Sequence, residues 1–348
     1  MHFIDCLLAA TDFSVAGNQA VRRAALLAHE HGARLHILHV VDHAGRKPLR
    51  DGFLPTRDLD LQAAQARDVL RGFAVEIAGT WDVSASIEVA VGDPFKTLLK
   101  ASEHAGLVVL GRHGRRGLRG LLVGGMVERM LRLCPHPVLA VRNPVHGPYR
   151  KVLAPIDCTA LSDAAVRVAD RMRPGQRLHV FHAIRSQRQA VLRNLDVPEH
   201  VIAEARRREE AETSARMQRA LSRLGLAGTP LGFGMAFGPP ARSSLRHAQD
   251  LGADLIVVGT RARSRLGQLL FGSVSGRLLA EASCDLLVVP GRRDGAPPQP
   301  AKAVASTALP QHPVDGASLV RGAAAQAGRL TPVGWIHNEA RFVSRKPS

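Results

Sequence analysis

Cysteine is scarce in this 348-residue chain, and the four present, Cys6, Cys134, Cys158 and Cys284, show neither Cys-x-x-Cys spacing nor a disulfide-dense pattern. That argues against a cysteine-built zinc site and a cross-linked secreted scaffold, and it suits a reducing compartment. Aromatic residues make up 4%, so stacking platforms for single-stranded bases are few. No apolar run approaches the ~18 to 20 residues needed to cross a bilayer. The start, "MHFIDCLLAATDFS", places acidic residues on both sides of a short apolar stretch, unlike a secretory leader. A cytoplasmic protein without a membrane segment is expected. Acidic residues are also outnumbered, 30 Asp and Glu against 47 Lys and Arg, which leaves a formal charge of +17. Such a field attracts nucleotide, RNA or acidic surfaces without choosing among them, and an arginine bias also follows from coding-sequence base composition. Missing too are a GxxxxGK[ST] element, a Ser-His-Asp order and a paired-carboxylate site. Without the P-loop lysine no fast phosphoryl transfer is expected. The chain reads as a non-enzyme with at most slow, incidental ATP hydrolysis, and no metal ligand set is implied.

What the chain does contain is itself, twice. "LLAATDFS" (Leu7 to Ser14) returns as "VLAPIDCT" (Val152 to Thr159), placing Asp12 opposite Asp157 at an offset of 145. "LHILHVV" from Leu35 returns as "LHVFHAI" from Leu178, and "LVVLGRHG" from Leu107 returns as "LIVVGTRA" from Leu255. Two copies of one domain follow, at 1–142 and 150–291, joined by the Pro- and Gly-containing "RNPVHGPYR". Residues 292–348 are Pro- and Ala-rich without period, and read as a disordered tail in which Trp335 and Ile336 offer a docking segment as the alternative.

Each copy alternates short apolar runs with longer helical patterns, the mark of an α/β fold with a parallel sheet between helices. In the first copy strands are expected near Cys6–Ala10, Leu35–Val40, Ser84–Val91, Leu107–Leu110 and Val138–Val141. Small apolar stripes, Ala20, Ala24 and Ala28 in one copy and Ala165, Ala169 and Met172 in the other, let a helix lie close on the sheet. Asp93 and Pro94 read as an N-cap and first helical residue, and "GPP" from Gly238 does the same in the second copy. Glu204 to Leu224 alternates charge at helical spacing, as a solvated helix face does.

The stretch "GRHGRRGLRGLLVGGM", Gly111 to Met126, carries six glycines and four arginines directly after a buried strand. Glycine lets backbone approach a ligand without a Cβ in the way, and free N–H groups at the start of the next helix favour phosphate. In an open parallel sheet the ligand crevice lies at the carboxyl ends of the strands, where Asp12 and Asp157 end theirs. The loop is read as a phosphate cradle, with a ligand-free strand-to-helix turn as the alternative. For Asp12 and Asp157 the plainer role is an N-cap for the next helix. His36 and His39, three apart on a strand, face opposite sides and read as structural rather than metal-binding. Cys158 beside the crevice reads as a small buried thiol, with an arginine-stabilised thiolate as the alternative.

These residues resemble the universal stress protein family in its tandem-domain form. That family carries Gly, two residues, Gly, nine residues, then Gly-Ser or Gly-Thr as an ATP motif, with an Asp ending the first strand. The resemblance implies two open five-stranded parallel sheets of order 3-2-1-4-5, paired through their fifth strands into an intramolecular pseudo-dimer. It implies a stress-response role with ATP or a related adenine nucleotide as ligand, Mg2+ as an accompanying ion, unnamed protein partners, and a monomeric or homodimeric chain. Carried over, Asp12 and Asp157 contact the adenosine with the backbone of Thr11 and Ile156, and Val40 and Ala183 border the base. Gly111, Arg112, His113, Gly114, Gly124 and Gly125 surround the phosphates in the first copy. In the second, Gly259, Thr260, Arg261, Gly272, Ser273, Val274 and Ser275 do so. Two departures stand out: Gly125 lacks the hydroxyl that Ser273 supplies, and Ala262 replaces the motif's second glycine. The competing classes are an RNA- or anion-binding module using "RHGRRGLR" and "TRARSR", and a scaffold with empty pockets.

Overall fold

The computed structural model describes residues 4–42, 56–112, 125–172, 175–185, 197–226, 229–260 and 272–291. The first half runs β1 (Cys6–Ala10), α1 (Val15–His31), β2 (Arg34–Asp42), α2 (Thr56–Trp81), β3 (Ala85–Gly92), α3 (Pro94–Ala101), β4 (Leu107–Gly111), α4 (Met126–Leu133) and β5 (Val138–Val141). The second runs β6 (Val152–Ile156), α5 (Ala160–Arg171), β7 (Leu178–Ile184), α6 (Glu199–Ser222), β8 (Leu231–Phe237), α7 (Pro240–Leu251), β9 (Leu255–Thr260), α8 (Ser273–Glu281) and β10 (Asp285–Pro290).

All ten strands form one sheet of order β3-β2-β1-β4-β5-β10-β9-β6-β7-β8. Each half is therefore a parallel 3-2-1-4-5 sheet, and the halves join where β5 and β10 meet antiparallel, Leu139 opposite Leu287 and Val138 opposite Val288. The expected pairing of the fifth strands within one chain is present. Central strands such as "LVVL" of β4 are apolar at every position because helices cover both faces. Alternation divides them between two cores that run across both halves. Leu7 and Ala9 join Ala24, Ala165 and Val257 under α1, α2, α5 and α6; Leu8 joins Leu98, Met130, Leu245 and Leu278 under α3, α4, α7 and α8.

Local signals set the element ends. Asp93 caps α3 by accepting from the Lys96 amide at 2.8 Å, and Pro240 opens α7 without a side-chain cap. Gly32 ends α1 in the left-handed region at φ 60°, where its amide reaches back to the last turn. α6 carries the charge-alternating run; Glu204 pairs with Arg207 and Arg208 on its outer face, while Met217 and Leu221 turn into the core. Among the described residues no helix is long and apolar enough to cross a membrane. The expected tail, 292–348, lies outside the described residues.

Candidate functional site

Both halves build the same turn where their first strand ends. Asp12 Oδ1 accepts from the Ser14 amide at 3.0 Å; Asp157 Oδ1 accepts from the Thr159 amide at 3.1 Å and the Thr159 hydroxyl at 2.5 Å. The N-caps are thus Ser14 and Thr159, two residues beyond the aspartates, which corrects the reading of Asp12 and Asp157 as caps. The carboxylates hold the turn that presents the cap. Between aspartate and cap sits a non-glycine residue with positive φ in each half, Phe13 at 59° and Cys158 at 60°. That conformation costs ~1 to 2 kcal/mol for an L-residue, and strain kept at equivalent positions of two diverged copies marks a place where chain direction matters more than stability.

The strand end is pinned from β2 and β7 as well. His39 Nδ1 lies 2.8 Å from the Thr11 carbonyl, and His182 Nδ1 lies 2.8 Å from the Ile156 carbonyl. A carbonyl only accepts, so Nδ1 carries the proton in each ring. The His39 ring also stacks on Phe13, 4.2 Å between centroids. Sequence reasoning treated His39 as structural, did not consider His182, and missed their shared task. The signal was present: "LHILH" and "LHVFH" place His39 and His182 at the same repeat position. His36, on the other face, sits 2.9 Å from both Ser86 Oγ and Glu88 Oε2 of β3, and this bond holds the Glu88 carboxyl below its usual range.

The glycines that open the two loops have a packing reason beside the ligand role expected of them. A Cβ on Gly111 would stand 2.4 Å from the Ala16 backbone carbon and oxygen, and one on Gly259 would stand 2.5 Å from the Leu161 carbonyl oxygen. Their task here is close contact between strand end and the first turn of α1 or α5. Gly17 then brings that turn against the aspartate, since its Cβ would lie 2.8 Å from Asp12 Oδ1. Asp12, Gly17 and Gly111 are so one contiguous group. The N-cap glycines of α4 and α8 differ: among the described residues nothing lies within 4 Å of a Cβ on Gly125, and one on Gly272 would meet Ser275 Oγ at 3.5 Å. Both helices follow a strand of the parallel sheet and run back along it, so their amino ends lie at the strand ends that carry the aspartates.

In α8, Ser273 is exposed, whereas Ser275 is buried and donates its hydroxyl to the Gly272 carbonyl at 3.1 Å. Of the two α8 serines expected at the phosphates, Ser273 is the one that faces outward. Val40, Ala183 and Val274 are partly buried together on the α3, α4, α7 and α8 face, and Thr260 ends β9 half-buried. The Arg112 side chain crosses to the other half: Nη1 donates to the Ala282 carbonyl at 2.7 Å and Nη2 to the Ala280 carbonyl at 2.6 Å. Burial, and then Arg142 beside it, lower its pKa to about 10, so it keeps its charge at neutral pH. Burial pushes the Cys158 thiol up more than Arg216 draws it down. The arginine-stabilised thiolate is thereby set aside. His113, Gly114, Gly124 and Arg261 lie outside the described residues.

Comparison with known proteins agrees with this geometry. A model of the universal stress protein family matches twice, at residues 5–142 and 148–290. The universal stress protein YxiE of Bacillus subtilis is 32% identical over 151 residues, 40% of this chain and 99% of its own length. A universal stress protein of Mycolicibacterium smegmatis is 26% identical over 299 residues, 81% of this chain and 96% of its own. The crystal structure of a universal stress protein from Archaeoglobus fulgidus shares the fold at a TM-score of 0.61 and 19% identity, covering 82% of this chain and 98% of that one. Two matches that fall on the two five-stranded halves, each with its strand-end aspartate and glycine, place this chain in the universal stress protein family, as a tandem-domain member.

Proposed function

We propose that this stress-response protein binds ATP or a related adenine nucleotide in its two strand-end crevices, in the cytoplasm, and acts through conformation or protein partners rather than by turnover. The observation that carries the reading is the duplicated aspartate turn, strained in both copies and set at the end of the sheet where α4 and α8 begin. The residues present fit such a ligand: the N-cap glycines are exposed and, among the described residues, uncrowded beside the first helical amides, where the helix dipole favours phosphate, and the aspartates offer acceptors for ribose hydroxyls. Mg2+ would accompany the phosphates. No lysine equivalent to that of a P-loop is placed in either motif, which supports slow hydrolysis at most.

Protein denatured after purification should release adenine nucleotide, read by chromatography and mass. Nucleic acid instead, with binding that falls steeply with salt, would support the anion-binding alternative. Release of nothing, with no heat on titration of ATP, would support an empty scaffold. The halves should also differ. Ser273→Ala is expected to weaken nucleotide binding by ~1.5 to 3 kcal/mol, the range for a hydrogen bond to a charged group, and Gly125→Ser to strengthen it. Calorimetric titration reads both; equal affinity of Ser273→Ala and parent would reverse this ranking of the halves.

A further inference from the structure

The seam between the halves is not symmetric, although the fold is. Arg112 follows the last residue of β4, and Arg142 follows the last residue of β5. Both leave the first half and grip the carboxyl end of α8 in the second. Arg112 supplies Nη1 and Nη2 to Ala282 and Ala280, and Arg142 adds Nη1 to the Ala282 carbonyl at 2.5 Å. Three donors thus fill carbonyls that a helix end leaves without intrahelical partners, and two cations stand at the negative end of its dipole. At the fold-equivalent positions the second half has Thr260 and Pro290, neither of which carries a cation to return the contact. Among the described residues the clamp therefore runs one way, from the first half to the second.

The gripped helix is the one whose other end carries Gly272, Ser273 and Val274. It is nine residues long, ~14 Å at the helical rise, and a helix this short moves as a rigid rod. We infer that Arg112 and Arg142 are positioning residues for the second crevice, so that the first half sets where the α8 amino end stands and how tightly the second half holds its nucleotide. This deepens, and rests on, the nucleotide-binding reading above. Because Arg112 directly follows Gly111, which packs on the first turn of α1, a ligand in the first crevice would act on the same clamp.

An azido-adenine nucleotide, photolysed on the full chain and followed by peptide mass mapping, reads each half separately. In Arg142→Met, and more so in Arg112→Met/Arg142→Met, half-labelling of second-half peptides should need about fivefold more nucleotide or more. First-half peptides should be unchanged in Arg142→Met, which lies outside both crevices, and Arg142→Lys should recover part of the loss. A merely structural role would shift both halves together, and that result, or no shift in either, overturns the inference. Amide exchange without ligand gives an independent readout. Residues 273–281 should exchange faster in the double variant while α4 does not change; unchanged exchange in α8 overturns the positioning role. If the parent takes no label at all, the nucleotide reading fails, and the exchange result alone decides whether the clamp positions α8.

Discussion

Asp285→Ala should remove about 3 to 5 kcal/mol from the unfolding free energy, the cost of breaking a buried ion pair from one side. Asp285 is 1% exposed and opens β10. Its Oδ2 accepts from the Tyr149 hydroxyl at 2.7 Å, and its Oδ1 from the amides of Arg142 at 2.8 Å and Asn143 at 3.2 Å. The Arg23 guanidinium of α1, 5% exposed, lies 3.6 Å from Oδ2, donates to the Gly147 carbonyl at 2.8 Å and stacks over the Tyr149 ring. Alanine would strand a buried cation, a phenol and two amides together. Burial first, then the Asp285 charge, holds the Tyr149 pKa well above its usual value, so the phenol remains a donor throughout the neutral range. Tyr149→Phe should cost less, ~1 to 3 kcal/mol, because the carboxylate keeps its amides and its cation. Urea unfolding measures both. A loss below ~1 kcal/mol for Asp285→Ala would mean that water replaces the carboxylate, and that the segment from Arg142 to Arg150 is a simple tether.

That segment shows where sequence reasoning stops. "RNPVHGPYR" has the composition of a linker, and its local conformation follows from Pro and Gly; that its tyrosine plugs the junction of α1 and β10 does not. The partners are 136 residues apart for Tyr149 and Asp285 and 124 for Arg23 and Gly147, and no local periodicity records such a meeting. Strands, by contrast, were legible within a residue or two, because period and burial act locally: Cys6–Ala10 and Val138–Val141 are found as expected. The strand-end turn was half legible. Repetition exposed Asp12 and Asp157, but the cap two residues on and the left-handed residue between them depend on φ, which "DFS" and "DCT" do not display. Arg112 was carried over to the phosphate group by position in a motif; its guanidinium goes to the α8 end because two carbonyls there need donors, a demand set by the other half.

Gly111→Ala is expected to cost ~3 kcal/mol, the upper part of the range for overpacking, together with loss of nucleotide binding in the first half. The added Cβ would stand 2.4 Å from two backbone atoms of Ala16 and 2.7 Å from the Gly17 amide nitrogen. None of these belongs to a side chain that could rotate away. The first turn of α1 is held by the Ser14 cap, whose Oγ accepts from Gly17 at 3.1 Å, and by Asp12 behind it. Either the strand end or that turn must shift, and both carry the crevice. Gly259→Ala should follow with a smaller loss, since its Cβ would meet one oxygen at 2.5 Å and the next atom at 3.0 Å. Gly125→Ala is the control: among the described residues nothing lies within 4 Å of a Cβ there, so the modest N-cap preference for glycine over alanine is the expected loss. Urea unfolding of the three variants, with photolabelling of each half, orders them. If Gly125→Ala abolished labelling while Gly111→Ala kept both stability and label, the glycines of the first position would owe their place to the ligand after all, and the strand end would be free to yield.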